Sequence, residues 1–284
     1  MSARDIPATF VGGHERAATA LVVPAALRAC VARANGQHTP AAAGEVLLAR
    51  LPACESTLVV HITPGGAVRA TVSGPLTAAK YRLIVPGPFY VQMIVRPSAA
   101  RALLGVPLSE LADRAVDLHE LWGRSGDEVA ERAARLAADP QAALRAIEPL
   151  LAARVPVDEA SAGARLAERA IERFAATAAA EPTVEALARD LGASERTLRQ
   201  AFADHVGVSP KRYARIERIR RVAARAGSRS WTQLAAEHGF SDQAHMNGEF
   251  RALLGVSPGA FIARRFPATH PAHLARPARP GAGG

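Results

Sequence analysis

The chain has 284 residues, enough for two ordinary domains, and its two cysteines, Cys30 and Cys54, stand too far apart for a CxxC zinc or redox motif. Lys and Arg number 35 against 26 Asp and Glu, a formal net charge of +9 that makes a polyanion the first partner to consider. The longest early apolar run, residues 17–27, is too short for a bilayer and holds Pro24, and Asp5 and Glu15 break a signal-peptide leader. A reduced, cytoplasmic protein with no membrane partner is therefore expected.

Residues 1–55 mix Pro, Gly and Ala with little periodicity and read as loops with short strands. From Ser56 to Arg96 the runs STLVVHI, AVRATVSG, KYRLIVPG and FYVQMIVRP are β-branched or aromatic and punctuated by Gly and Pro, which predicts antiparallel strands. After Pro97 the pattern turns helical through SAARALL, SELADR, LHELWG, GDEVAERAARLAA and PQAALRAIEPLLAARV. The fold class expected is α+β. A β-rich unit with packed helices occupies residues 1–155, the linker VPVDEASAG leads into an all-helical unit at 165–265 with its linker residues at 156–164, and a Pro/Gly/Ala tail at 266–284 is too apolar-poor to order.

Two repeats lie within the chain. RALLGV occurs at Arg101–Val106 and again at Arg251–Val256. LAxxxGxS occurs at 187–194 and 234–241, an offset of 47, while FADHVGVSPKRY at 202–213 matches FRALLGVSPGAF at 250–261 with an offset of 48. The second copy thus carries one extra residue between its Ser and its Phe. Each copy predicts a short helix, a turn at Gly192 or Gly239, and a second helix capped by Ser194 or Ser241 and ended by Gly207 or Gly255. That is a helix-turn-helix, twice. The first RALLGV has no LAxxxGxS upstream and shares only the way a helix ends.

Residues 165–265 resemble the DNA-binding domain of the AraC/XylS family of transcriptional regulators, through TVEALARDLGASERTLRQAFADHVGVSPKRYARIERIRRV and WTQLAAEHGFSDQAHMNGEFRALLGVSPGAF. The resemblance implies two helix-turn-helix units joined by one long helix, here Pro210–Ala226, that enter successive major grooves of double-stranded DNA. It implies a sequence-specific regulator that works with RNA polymerase, needs no cofactor and is not an enzyme. On the first recognition helix, Leu198 and Phe202 face the core, and Arg196, Thr197, Arg199 and Gln200 occupy the outward positions that read bases in relatives. On the second, the base-reading positions are Gln243, His245 and Asn247, with Met246 and Gly248 where relatives carry an aromatic or Leu and an Arg. Ser194, Ser241, Lys211, Arg212, Arg220 and Arg221 are the expected phosphate contacts. The composition agrees: between Ser209 and Arg229 stand eight Lys/Arg and one acid, Glu217, with Ile216, Ile219 and Val222 on one helical face. His245 is expected at the surface, His238 as a structural residue of the turn, and no metal site is foreseen. On this plan residues 157–265 fold and bind DNA alone, and residues 1–155 set when they do so.

The segment IVRPSAARALLGVPLSELADRAVDLHELWG, residues 94–123, resembles an uncharacterised domain found ahead of AraC-type helix-turn-helix domains. That resemblance implies a sensory or dimerising module, with a small-molecule effector and a homodimer as open alternatives. Trp122 is expected as a core anchor, while Arg96 and Arg114 either bind an anionic effector or pair with Asp113 or Asp117. Two rivals remain. DNA-alkylation-response proteins carry similar DNA-binding units, but here the order Pro52-Ala53-Cys54-Glu55 lacks their Pro-Cys-His-Arg acceptor motif, and Glu55 would raise the thiol pKa. A helix-turn-helix module repurposed for protein interaction is favoured only by Gly248.

Overall fold

Alternation along residues 56–95 sends every second side chain to one face, and that face is where the first core forms. The computed structural model describes residues 8–11, 18–38, 46–84, 87–155, 161–176 and 182–267. Strands are numbered in chain order. A six-stranded antiparallel sheet contains β2 (Thr19–Leu21), β3 (Val31–His38), β5 (Ser56–Ile62), β6 (Val68–Ser73), β8 (Phe89–Val95) and β9 (Ala115–Asp117), in the order β2-β3-β8-β5-β6-β9. Ala34, Met93, Leu58 and Val72 lie side by side in register and are buried. Helices α3 (Arg124–Ala134) and α4 (Pro140–Ala152) cover that face with Val129, Ala133, Leu144 and Ile147. The next row, Asn35, Gln92, Val59 and Thr71, belongs to the opposite, more polar face.

A second sheet has three strands: β1 (Ala8–Val11) runs parallel to β4 (Val46–Arg50), which pairs antiparallel with β7 (Lys80–Ile84). Its Leu47, Ala49, Tyr81 and Leu83 form a small cluster apart from the first core, and Phe266 packs on it. The ordered chain therefore reaches past the expected start of the tail at 266, and residues 268–284 lie outside the described residues.

The segment 94–123 is laid out by its own punctuation. Helix α1 (Pro97–Leu104) starts with Pro97 at its first position and ends at Gly105, whose φ of 80° lets its N–H reach the Arg101 carbonyl. SELADR is not the helix expected from its pattern. It forms a 3-10 turn, Leu108–Leu111, because Asp113 takes a φ of 59° and accepts the Thr77 N–H at 2.7 Å, and AVD continues as β9. Asp117 and Glu120 then form a capping box on α2 (Leu118–Trp122). Trp122 is buried, with the Arg154 guanidinium 4.2 Å above its ring. Arg96 and Arg114 pair with neither aspartate: Arg96 Nε donates to the Arg28 carbonyl at 2.8 Å and Arg114 to the Glu110 carbonyl at 3.1 Å. Asp117 faces Arg69 instead, at 3.6 Å.

The remaining chain is helical: α5 (Ala162–Ala176), α6 (Val184–Asp190), α7 (Glu195–His205), α8 (Pro210–Ala224), α9 (Trp231–Glu237), α10 (Gln243–Leu254) and α11 (Pro258–Ile262). Helix α5 begins inside the expected linker, where Ser161 Oγ accepts the Ala164 N–H at 3.1 Å, and residues 156–160 lie outside the described residues. These helices share a second core around Phe174, Leu198, Phe202, Ile216, Ile219, Leu234 and Phe250. Three N-terminal residues join it: Cys54 is buried within it, and Leu51 and Ala79 pack against it.

Candidate nucleic-acid interface

The first helix-turn-helix is α6, a turn and α7. Thr183 caps α6 and Ser194 caps α7, its Oγ accepting the Thr197 N–H at 3.0 Å. The turn closes when the Ala193 N–H reaches the Ala188 carbonyl at 2.9 Å, which requires Gly192 at a φ of 67°. Leu198 and Phe202 face inward and are fully buried, so the helical period leaves Arg196, Thr197, Arg199 and Gln200 exposed together. Arg199 pairs with Glu195 one turn back, an exposed contact easily exchanged for another partner. Arg196 pairs with no acid among the described residues.

The second unit is α9, a turn and α10. Its turn closes in the same way, the Phe240 N–H reaching the Ala235 carbonyl at 2.9 Å beside Gly239 at a φ of 69°. The cap then differs from expectation: Asp242, not Ser241, is the N-cap, its Oδ1 accepting the His245 N–H at 2.7 Å. The extra residue of the second copy is therefore Ser241, inserted in the turn, where its Oγ lies 3.1 Å from His245 Nδ1. From the cap onward the two helices correspond at an offset of 48, which sets Ala244, His245, Asn247 and Gly248 against Arg196, Thr197, Arg199 and Gln200. Met246 fills the place of Leu198 and is fully buried. Gln243 and His245 are exposed, and the Gln243 Oε1 accepts from Thr232 at 2.8 Å. Asn247 is half-buried, with an Oδ1 that is shielded and unpartnered. An added Cβ at Gly248 would meet nothing within 4 Å.

The connecting helix α8 changes the expected picture of the charges. Ser209 caps it, Pro210 opens it, and Ile216, Ile219 and Val222 are buried as their spacing predicts. Most of its cations hold protein together. Arg215 pairs with Glu249 on α10, Arg218 lies 4.7 Å over the Phe240 ring, and Arg225 meets His238 Nε2 at 3.1 Å. Burial, then Arg225, pushes the His238 pKa below its ordinary value, which keeps the ring neutral as an acceptor. Arg220, expected at phosphate, has a side chain only 21% exposed, pairs with Glu217 at 2.9 Å and lies 3.6 Å from Glu55 of the N-terminal chain. Arg221, also expected at phosphate, donates to the Phe174 carbonyl at 3.4 Å. Among the described residues of α8, Lys211 and Arg212 are the exposed cations with no such tie.

The N-terminal chain touches both units. Arg101 pairs with Asp204 on α7 at 2.6 Å, and Gly207 just beyond α7 lies so close to Leu108 and Pro75 that a Cβ there would come within 2.5 Å of the Leu108 carbonyl oxygen. At the other unit the Ala79 N–H donates to the Leu253 carbonyl at 2.8 Å and the Tyr81 hydroxyl to the Leu254 carbonyl at 2.6 Å. Glu55, Ala79, Tyr81, Asp242 and Glu249 escaped sequence reasoning. Asp242 alone had a local signal, since Asp is as good a cap as Ser.

Cys54 does not resemble a reactive thiol. It is buried, and burial followed by Glu217 pushes its pKa well up. No group of His, Cys, Asp and Glu among the described residues could hold a metal, and no described helix is long and apolar enough to cross a membrane.

Residues 187–264 match the family model described as a helix-turn-helix domain, and the match spans both turns and both recognition helices. The C-terminal unit is a helix-turn-helix domain. No curated protein matches the chain. Among solved structures, a transcriptional regulator with an AraC-type DNA-binding domain from Chromobacterium violaceum is 24% identical, covering 37% of this chain and 96% of that one at a TM-score of 0.34. Apo ToxT from Vibrio cholerae is 8% identical over 81% of this chain and 96% of its own, at a TM-score of 0.40. Unsaturated fatty acid-bound ToxT is 10% identical over 81% and 90%, at 0.34. With scores below 0.5, the assignment of residues 187–264 rests on the sequence match.

Proposed function

We propose that the chain is a sequence-specific, DNA-binding transcriptional regulator whose two helix-turn-helix units enter two successive major grooves. The observation that carries this reading is the outward quartet of α7: Arg196, Thr197, Arg199 and Gln200 are exposed on a helix whose inner face is locked by Leu198 and Phe202. Arg can bind guanine O6 and N7 with two hydrogen bonds, and Gln can do the same for adenine. Gln243 and His245 are the readers of the second unit, with Asn247 at its half-buried edge. Ser194, Lys211, Arg212 and Ser241 meet phosphate, whereas Arg220 and Arg221 serve the protein's interior.

The two helix-turn-helix units are unequal partners on DNA. The first presents two arginines, and the second presents no cation at the corresponding positions, so sequence discrimination falls mainly to the first. Residues 1–155 form the regulatory unit, as an effector-sensing or dimerising module, and the regulator acts in the cytoplasm through RNA polymerase. A gel shift at two salt concentrations, using duplexes from the chain's own promoter region, tests the reading. A sequence-selective component that survives high salt is expected, and loss of all binding together would reduce the chain to a merely basic protein.

A further inference from the structure

A helix leaves its last four carbonyls without partners inside the helix, and something else must satisfy them. For α10, the second recognition helix, Gly255 serves the Arg251 carbonyl from within the same motif. The Leu253 and Leu254 carbonyls are served from 173 residues away or more in sequence, by the Ala79 N–H and the Tyr81 hydroxyl. Both donors belong to the three-stranded sheet or its approach, and that sheet's cluster stands apart from the N-terminal core.

Packing runs along the same line. The Tyr81 ring stacks on Phe266 with centroids 4.9 Å apart, Phe266 meets Phe261 at 5.9 Å, Phe261 meets Phe250 at 5.4 Å, and Phe250 meets Trp231 at 5.8 Å. An unbroken row of rings thus leads from an N-terminal strand through α11 and α10 to α9. Among the described residues, the end of the first recognition helix has no such ring row or backbone donor: Val206 and Gly207 bond the Phe202 carbonyl locally, and the N-terminal chain meets this end through Arg101 at Asp204 and through Leu108 beside Gly207.

We infer that the three-stranded sheet completes the second recognition helix, with Tyr81 as the positioning residue that fixes α10 for DNA. The inference rests on the DNA-reading role proposed above. Its consequence is that the second unit reads DNA only while the N-terminal chain is docked, whereas the first needs no such donor. A change confined to the three-stranded sheet can therefore reach one half of the binding site without passing through Arg101 or Leu108, which meet the first recognition helix and its end.

The test uses the full chain on a duplex obtained by selection, with hydroxyl-radical footprinting across a titration. Arg199→Ala first identifies the half read by α7. Tyr81→Phe removes the hydroxyl and keeps the ring stack, and protection over the other half is expected to weaken about three- to tenfold while the α7 half keeps its wild-type affinity. Phe266→Leu, which removes the stacking partner and keeps the hydroxyl, is expected to give the same one-sided loss. Equal loss over both halves, or an unchanged footprint in both variants, would overturn the inference alone. A wild-type chain that protects no selected duplex would overturn the DNA-reading role and this inference with it.

Discussion

The two helix-turn-helix units share a turn and a core position but differ in what finishes them. In the first, Phe202 packs among Phe174 and Tyr213 of the same helical unit, and local N–H groups close the helix end. In the second, Phe250 packs between Trp231 and Phe261, and the helix end is closed by the N-terminal chain. Charge follows the same division, since Arg196 and Arg199 stand where the second unit has Ala244 and Asn247. A tandem repeat need not be finished evenly: the N-terminal chain meets both copies, but among the described residues only in the second does it supply hydrogen-bond donors to the helix's last carbonyls.

The comparison breaks most visibly at the two core phenylalanines. Phe202→Ala and Phe250→Ala are each expected to cost about 3 to 5 kcal/mol, read from the denaturant midpoint at an unchanged slope. Only Phe250→Ala should also loosen the Tyr81 contact, seen as faster amide exchange in β7. Next in size, Arg196→Ala and Arg199→Ala are each expected to lose about 1 to 3 kcal/mol at the selected site and little on random DNA. An equal loss on both would make them phosphate contacts.

Acid sharpens the comparison more gently. Burial is the first cause that lowers the pKa of His205, at the end of α7, and of His238, in the second turn, from an ordinary 6.5. Unfolding then takes up protons, so the stability these rings provide is whole above pH 6.5 and is lost as pH falls from there through their folded pKa values. His238→Gln should flatten that slope in melts between pH 7 and 5, about the range over which the unfolded ring charges. The smallest effect is on salt dependence. Lys211→Gln and Arg212→Gln should each shallow log K against log salt by about 0.9 per lost phosphate contact, whereas Arg220→Gln should leave the slope alone.

Local chemistry made much of this legible in advance. The strands between Ser56 and Arg96, the helix starts at Ser209-Pro210 and Ser257-Pro258 and the stops at Gly105 and Gly255 depend on neighbours in the chain. Both copies of RALLGV end on a left-handed glycine, and both lie against the opposite half of the molecule: Arg101 at Asp204, Leu253 and Leu254 at Ala79 and Tyr81. The first fact is written in six residues and the second is not. The charge count along α8 was equally visible, but its partners, Glu55, Glu249, Phe174 and His238, come from four other places in the chain, so a run that reads as a phosphate surface is largely internal scaffolding. The cap of α10 was hidden by a single inserted Ser241 that mimics Ser194.

Selection of bound duplexes from a random pool with the full chain tests the central claim most directly. A site with one sharply specified half, erased by Arg199→Ala, and a weakly specified half about one helical turn away is expected. No enrichment over the starting pool, or two halves specified equally well, would contradict it.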